Sequence, residues 1–313
     1  MVMIKRIVGL PGCFRALAVA AISATVFCAA TARADYRESV PILRIGLVET
    51  HVAATDPVKL EAVRRAFADA LSIPVEIIKL GSYTALIDAH ASGRVGYAIH
   101  SARSFAATDA ACGCVRALRS PVAADGSTGF RSVLVARESV NKPVSGLKVG
   151  YSDESSVSGW QIPRQAILSG SLEQPVLVRA GSVSSVIELY SAGKIDGFFA
   201  WLPDIPGDQG SDVARLFGGW NQAGISSADP LRILWSSQRI PHGPHAMHRS
   251  LPEDLGEALG AFLDGMQSSA PGLLDLLEPA FAGGYITPGP DDYRSVRGLI
   301  EALSDQKSAA RSQ

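Results

Sequence analysis

Strand-like and helix-like segments alternate in two consecutive series along this chain, and that order restricts the fold more than any other feature. In the first series, Ile42 to Val48 (ILRIGLV) is a short apolar, β-branched run of the kind that forms a buried strand. Asp56-Pro57 then supplies a helix cap and a first-turn proline. Leu60, Val63, Phe67 and Leu71 recur three or four residues apart, which puts them on one helical face. Pro74 ends that helix. Val75 to Leu80 is the next strand, Ser82 starts a helix carrying Leu86, Ile87 and His90 that closes at Gly93, and Val95 to Ile99 is the third strand. The second series has strands at Arg131–Arg137, Leu147–Tyr151, Val176–Arg179, Ile195–Trp201 and Leu231–Ser236, with helices at Ser156–Leu168 and Ser182–Ala192. Helices from Pro252 to Gln267, Pro271 to Leu277 and Pro290 to Leu303 close the chain. Pro203 to Asp229, rich in Gly, Asp and Ser, reads as loop with one helical turn near Val213–Phe217. Such β-α-β runs favour parallel sheets covered by helices.

Two units of this kind suggest an α/β protein of two lobes, and 313 residues suffice for two. The strand out at 131–137 and the strand back at 231–236 form the expected two-strand hinge. The expected division is residues 35–131 with 237–313 in the first lobe and 132–236 inserted as the second. A cleft between such lobes is a natural small-molecule site.

With 47% hydrophobic and 19% charged residues, the chain is neither disordered nor fibrous, and the lack of internal repeats excludes a solenoid or propeller. Residues 1–34 carry Lys5, Arg6, Arg15 and Arg33 and no acid. An uncharged stretch from Ala16 to Ala30 follows the basic start, and Ala32-Arg33-Ala34 is a small-x-small cleavage pattern. Basic, apolar and small-residue regions in this order mark a secretory signal peptide with Asp35 as the mature start, too short to span a bilayer comfortably. Phe27 before Cys28 argues against lipidation. The expected location is the periplasm. Without residues 1–34, 25 basic side chains face 30 acidic ones, a formal charge of −5, so no basic surface suits nucleic acid. Cys112-Gly113-Cys114 could pair in an oxidising compartment. The reading adopted is two small buried hydrophobes beside a strand.

Little in the chain points to catalysis. Gly-x-Ser-x-Gly and the phosphate-loop pattern are absent, and no carboxylate pair stands out. His242, His245 and His248 have a spacing that suggests metal, but Pro241, Gly243 and Pro244 break a shared helical face, so a solvated turn is expected. Ser152–Gly159 and Gly181–Ser185 are hydroxyl-rich helix starts, able either to hold an anion or simply to cap a helix. No cofactor or metal is expected.

Several segments resemble the phosphate/phosphonate-type periplasmic substrate-binding proteins of ABC importers. They are Leu43–Val48, Ser82–Ile87, Gly93–Val95, Ala124–Val133 (ADGSTGFRSV), Ser156–Gly159 with Pro163, Ala192–Asp196 and Trp235–Pro241, in matching order. The resemblance implies a type 2 periplasmic-binding fold, with two mostly parallel sheets flanked by helices, a two-strand hinge and a cleft that closes on ligand. It also implies a monomer that delivers its solute to an inner-membrane ABC permease. The alternative is a periplasmic module that reports ligand to a membrane sensor. The expected ligand-binding residues are Tyr83, Phe130, Ser156, Val157, Ser158 and Ser182, which stand at family positions, together with His100, Ser101 and Trp201 beside the cleft. Departures are informative. The second oxyanion-binding hydroxyl of the family is Val157 here, its tyrosine is Phe130, its histidine is Ser182, and its acidic position is Gly243. The resemblance therefore implies a small polar or anionic solute, held less by oxyanion contacts than in phosphonate binders.

Overall fold

Every residue of β1 (Leu43–Val48) except Arg44 is buried, as suits a strand with neighbours on both edges. It runs parallel to β2 (Val75–Leu80) and β3 (Tyr97–Ile99). The computed structural model describes residues 35–154, 156–206 and 231–301. The signal peptide over 1–34, the helical turn at 213–217 and the end of the last helix lie outside the described residues.

Local chemistry sets the helices of the first series. After a single turn, α1 (Tyr36–Ser39), the Val58 N–H donates to Asp56 Oδ1 (2.8 Å) at the start of α2 (Pro57–Leu71). The expected face, Val63, Phe67 and Leu71, is buried. Ser82 caps α3 (Tyr83–Ala91) by accepting the Ala85 N–H (3.1 Å). Two elements that the reading did not anticipate follow. In α4 (Ala102–Cys112), Ser101 and Ser104 cap each other reciprocally, and β4 (Val115–Pro121) comes next. The first sheet has the order β12-β4-β11-β3-β1-β2, where β11 is His245–His248 and β12 is Tyr285–Ile286.

Two expectations are corrected here. The segment around His245 is no solvated turn: β11 lies antiparallel between β3 and β4, and His245 is fully buried. Nor are the two cysteines buried hydrophobes. Cys112 is exposed at the end of α4, Gly113 takes a left-handed φ of 59°, and the turn joins Cys112 to Cys114 in a disulfide.

The second sheet has the order β10-β5-β8-β6-β7, with β9 also pairing β5. Its strands are β5 (Gly129–Arg137), β6 (Lys148–Tyr151), β7 (Val176–Arg179), β8 (Gly197–Asp204), β9 (Leu231–Ser236) and β10 (Ile240–Pro241). The strands out and back, β5 and β9, lie side by side antiparallel. Pro203 and Asp204, expected in a loop, extend β8 because β5 begins at Gly129 and gives them partners. The alternation of β5 divides the core. Val133 and Val135 pack with Tyr190 and Phe198 on one face, while Leu134 packs with Val149 and Phe199 on the other. The helix expected from Ser156 starts as a wide π-type turn (Val157–Gln161) before α5 (Ile162–Leu168), and α6 (Val183–Ser191) follows β7. α7 (Glu253–Ser269) and α8 (Pro271–Leu277) return to the first sheet, where α7 buries Leu255, Leu259 and Leu263 beside Phe67 and Tyr97. A last helix, α9 (294–301), begins four residues later than Pro290. No helix among the described residues is long and apolar enough to cross a membrane.

Candidate functional site

A cavity of about 1120 Å³ lies where elements of both sheets meet. From the first sheet's side come Tyr83 at the start of α3, and His100, Ser101 and Arg103 around the start of α4. From the second come Val157 and Ile162 of the turn into α5. The returning strands add Phe130, Trp235, Ile240 and His242, and α9 adds Val296 and Leu299. His51, Glu278 and Phe281 complete one end. Helix starts from both sides thus reach one space.

Of the nine expected ligand contacts, Tyr83, His100, Ser101, Phe130 and Val157 line this cavity. Ser156, Ser158, Ser182 and Trp201 are not among its lining residues. Ser156 Oγ accepts the Gly159 N–H (3.1 Å), and the Ser158 carbonyl accepts the Ser132 hydroxyl (2.6 Å), so both shape the turn that presents Val157. Ser182 is exposed and caps α6 through the Ser185 N–H (3.0 Å). Trp201 is 55% exposed and meets Phe130 edge-on, with ring centroids 6.4 Å apart.

The titratable groups of the wall are mostly held neutral. His100 Nε2 is 2.8 Å from His90 Nδ1, and its Nδ1 is 3.0 Å from Ser104 Oγ. Burial pushes His90 down to about 4 and His100 well below the usual histidine range. Burial also lowers His51, whose Nε2 lies 2.9 Å from the Leu277 carbonyl, and His242, whose Nδ1 lies 2.9 Å from the Pro121 carbonyl. Tyr83 is raised by burial and by the charge of Glu278. Arg103 Nη1 donates to Gln161 Oε1 (3.0 Å), linking α4 to the turn of the other sheet. Among the described residues no group of three or more His, Cys, Asp or Glu side chains could hold a metal ion. His242, His245 and His248 each engage a different partner.

Gly243, at the family's acidic position, packs against the backbone of His100. A Cβ there would stand 1.9 Å from the His100 oxygen and 2.8 Å from Ser101 Cα. No carboxylate fits at that position. The carboxylate that does reach the cavity, Glu278, sits in Leu-Leu-Glu-Pro after a short helix, without any motif to mark it. The Trp235–Pro241 stretch does carry a signal, since it belongs to the resemblance.

A family profile described as "ABC transporter, phosphonate, periplasmic substrate-binding protein" matches residues 52–293. Among solved structures, XAC2383 from Xanthomonas citri is similar in fold in two forms. The form bound to chloride has a TM-score of 0.56 at 13% identity, covering 86% of this chain and 100% of that one. The form bound to ATP has a TM-score of 0.55 at 14% identity, covering 86% and 99%. Transferrin 1 from Manduca sexta has a TM-score of 0.54 at 12% identity, covering 84% of this chain and 46% of that one. These likenesses show the fold alone. No curated protein sequence matches the chain.

Proposed function

Because the chain belongs to the family of periplasmic substrate-binding proteins of phosphonate ABC transporters, we propose that it captures a small solute between its two lobes and delivers it to an inner-membrane ABC permease. Members of this family bind solutes in the periplasm and catalyse nothing. One observation carries the reading: the cavity takes its walls from both sheets, with a helix start from each side reaching it. A site divided in this way can close when the solute bridges its halves.

In this reading residues 1–34 are a cleavable export signal, residues 35–131 with 237–313 form one lobe, and 132–236 form the other. The protein acts as a monomer. Tyr83, His100, Ser101, Phe130 and Val157 contact a small solute with a polar end and an apolar body. Ser156 and Ser158 hold Val157 in place, and Trp201 backs Phe130 at the rim.

Deleting the gene from its host should abolish high-affinity uptake of the solute that the purified protein binds. The same solute should compact the protein in small-angle scattering. Unchanged uptake would contradict the import role, and an unchanged scattering profile at saturation would contradict closure.

A further inference from the structure

The walls of the cavity carry two side chains with a permanent or readily held charge, Arg103 and Glu278. Arg103 is engaged with Gln161. Glu278 is differently placed. Its side chain is 10% exposed, and one carboxylate oxygen accepts from His245 Nε2 (2.9 Å). His245 Nδ1 is in turn hydrogen-bonded to the Tyr97 hydroxyl, and Tyr97 and His245 are both fully buried. The Tyr97–His245 relay therefore fixes the carboxylate from behind. Its second oxygen has no protein partner among the described residues, and Glu278 lines the cavity. That oxygen is not among the fully buried atoms left without a hydrogen bond, so it is open to the cavity and able to accept from an arriving donor.

We infer that Glu278 is the recognition group for a protonated amine, and that the solute is an organic ammonium with an apolar body rather than a bare oxyanion. This inference rests on the cavity being the solute site. Phe130, Ile162, Trp235, Ile240, Phe281 and Leu299 supply apolar walls for the body. The hydroxyls that would hold an oxyanion are missing at Phe130 and Val157, and Ser182 is exposed outside the lining. His51, His100 and His242, pushed toward the neutral form by burial, neither compete for Glu278 as cations nor attract an anion. Within the cavity, a fixed carboxylate attracts an ammonium and repels a phosphonate dianion.

Calorimetric titration of the purified protein tests this with alkyl- and arylalkylamines from butylamine to phenethylamine. Phenethyl alcohol, phenylacetate and methylphosphonate are the comparison probes. Wild-type protein should bind its best amine about ten- to hundredfold more tightly than the matching alcohol, the range of a charge-assisted hydrogen bond. Glu278→Gln, which can still accept from His245, should erase that preference. The wild-type comparison of amine with alcohol needs no variant to fold. A preference for phenylacetate or methylphosphonate, no binding by any amine, or equal amine binding in Glu278→Gln would overturn the inference. Val157→Trp separates this from the reading beneath it. Amine binding lost in Val157→Trp but kept in Glu278→Gln removes the ammonium and leaves the cavity site. Binding of every probe that is indifferent to Val157→Trp removes the cavity site itself.

Discussion

Lowering the pH from 7 to 5 should destabilise this protein, by about 2 kcal/mol through His90 alone and further in the same direction through His100. An unfolded histidine takes up its proton near 6.5, whereas burial holds His90 neutral down to about 4 and pushes His100 well below its ordinary value. Between those values the unfolded chain binds more protons than the fold. The contribution is therefore whole above about 6.5 and is lost as pH falls toward 4. For His90 alone the loss is ~2 kcal/mol at pH 5. His248, whose ring centroid lies 6.2 Å from that of His90, opposes protonation further. Against a total stability of about 5–15 kcal/mol, such a loss is large. Urea unfolding at pH 7 and pH 5 measures it, with His90→Gln as the comparison. Equal stability at the two pH values would contradict the buried pair.

Gly243→Asp should cost on the order of 3 kcal/mol or more, beyond the ordinary penalty of an overpacked site. The obstruction is backbone, not the end of a flexible side chain: His100 O at 1.9 Å and Ser101 Cα at 2.8 Å from the new Cβ. The His100 N–H donates to the Pro244 carbonyl (3.0 Å), so retreat of either segment breaks the pairing that leads into β3 and β11. Thermal unfolding would show this as a drop of several degrees. A stable Gly243→Asp protein would mean that the family's acidic position can be restored here, against the close approach described above.

The sequence showed most of the fold where side-chain periodicity and caps agree. In α2, the Asp56 cap, Pro57 and the Val63–Phe67–Leu71 face all point to one helix, and the structure has it. It was silent where burial and composition part. α4 (ARSFAATDAAC) is built largely of small residues and shows no stripe of large apolar ones, so its helix rests on the Ser101–Ser104 caps. β11 (HAMH) is spelled with two histidines yet fills the middle of a sheet, because Tyr97 and Glu278 satisfy His245 there. The site divides along the same line. Tyr83, His100, Ser101, Phe130 and Val157 are adjacent to strand ends or helix starts, positions that topology turns toward a cleft. His51, three residues past the end of β1, stands at such a position too but sits in no motif, and Glu278 reaches the cavity from the end of α8 through tertiary packing alone, with no local spacing to announce it.

The central claim is that solute binds in the cavity between the lobes. Comparing solute-induced thermal stabilisation of wild-type protein and Val157→Trp across one panel of small solutes tests it most directly. Indole at position 157 fills the space between the α5 turn and the wall formed by Phe130, Ile240 and Leu299. A solute at about a hundred times its dissociation constant adds ~2.7 kcal/mol to the wild type, a rise of a few degrees. The account predicts that rise in the wild type and none in Val157→Trp, with the two proteins unfolding at similar temperatures when no solute is present. An equal rise in both would place the solute elsewhere on the molecule and contradict the account.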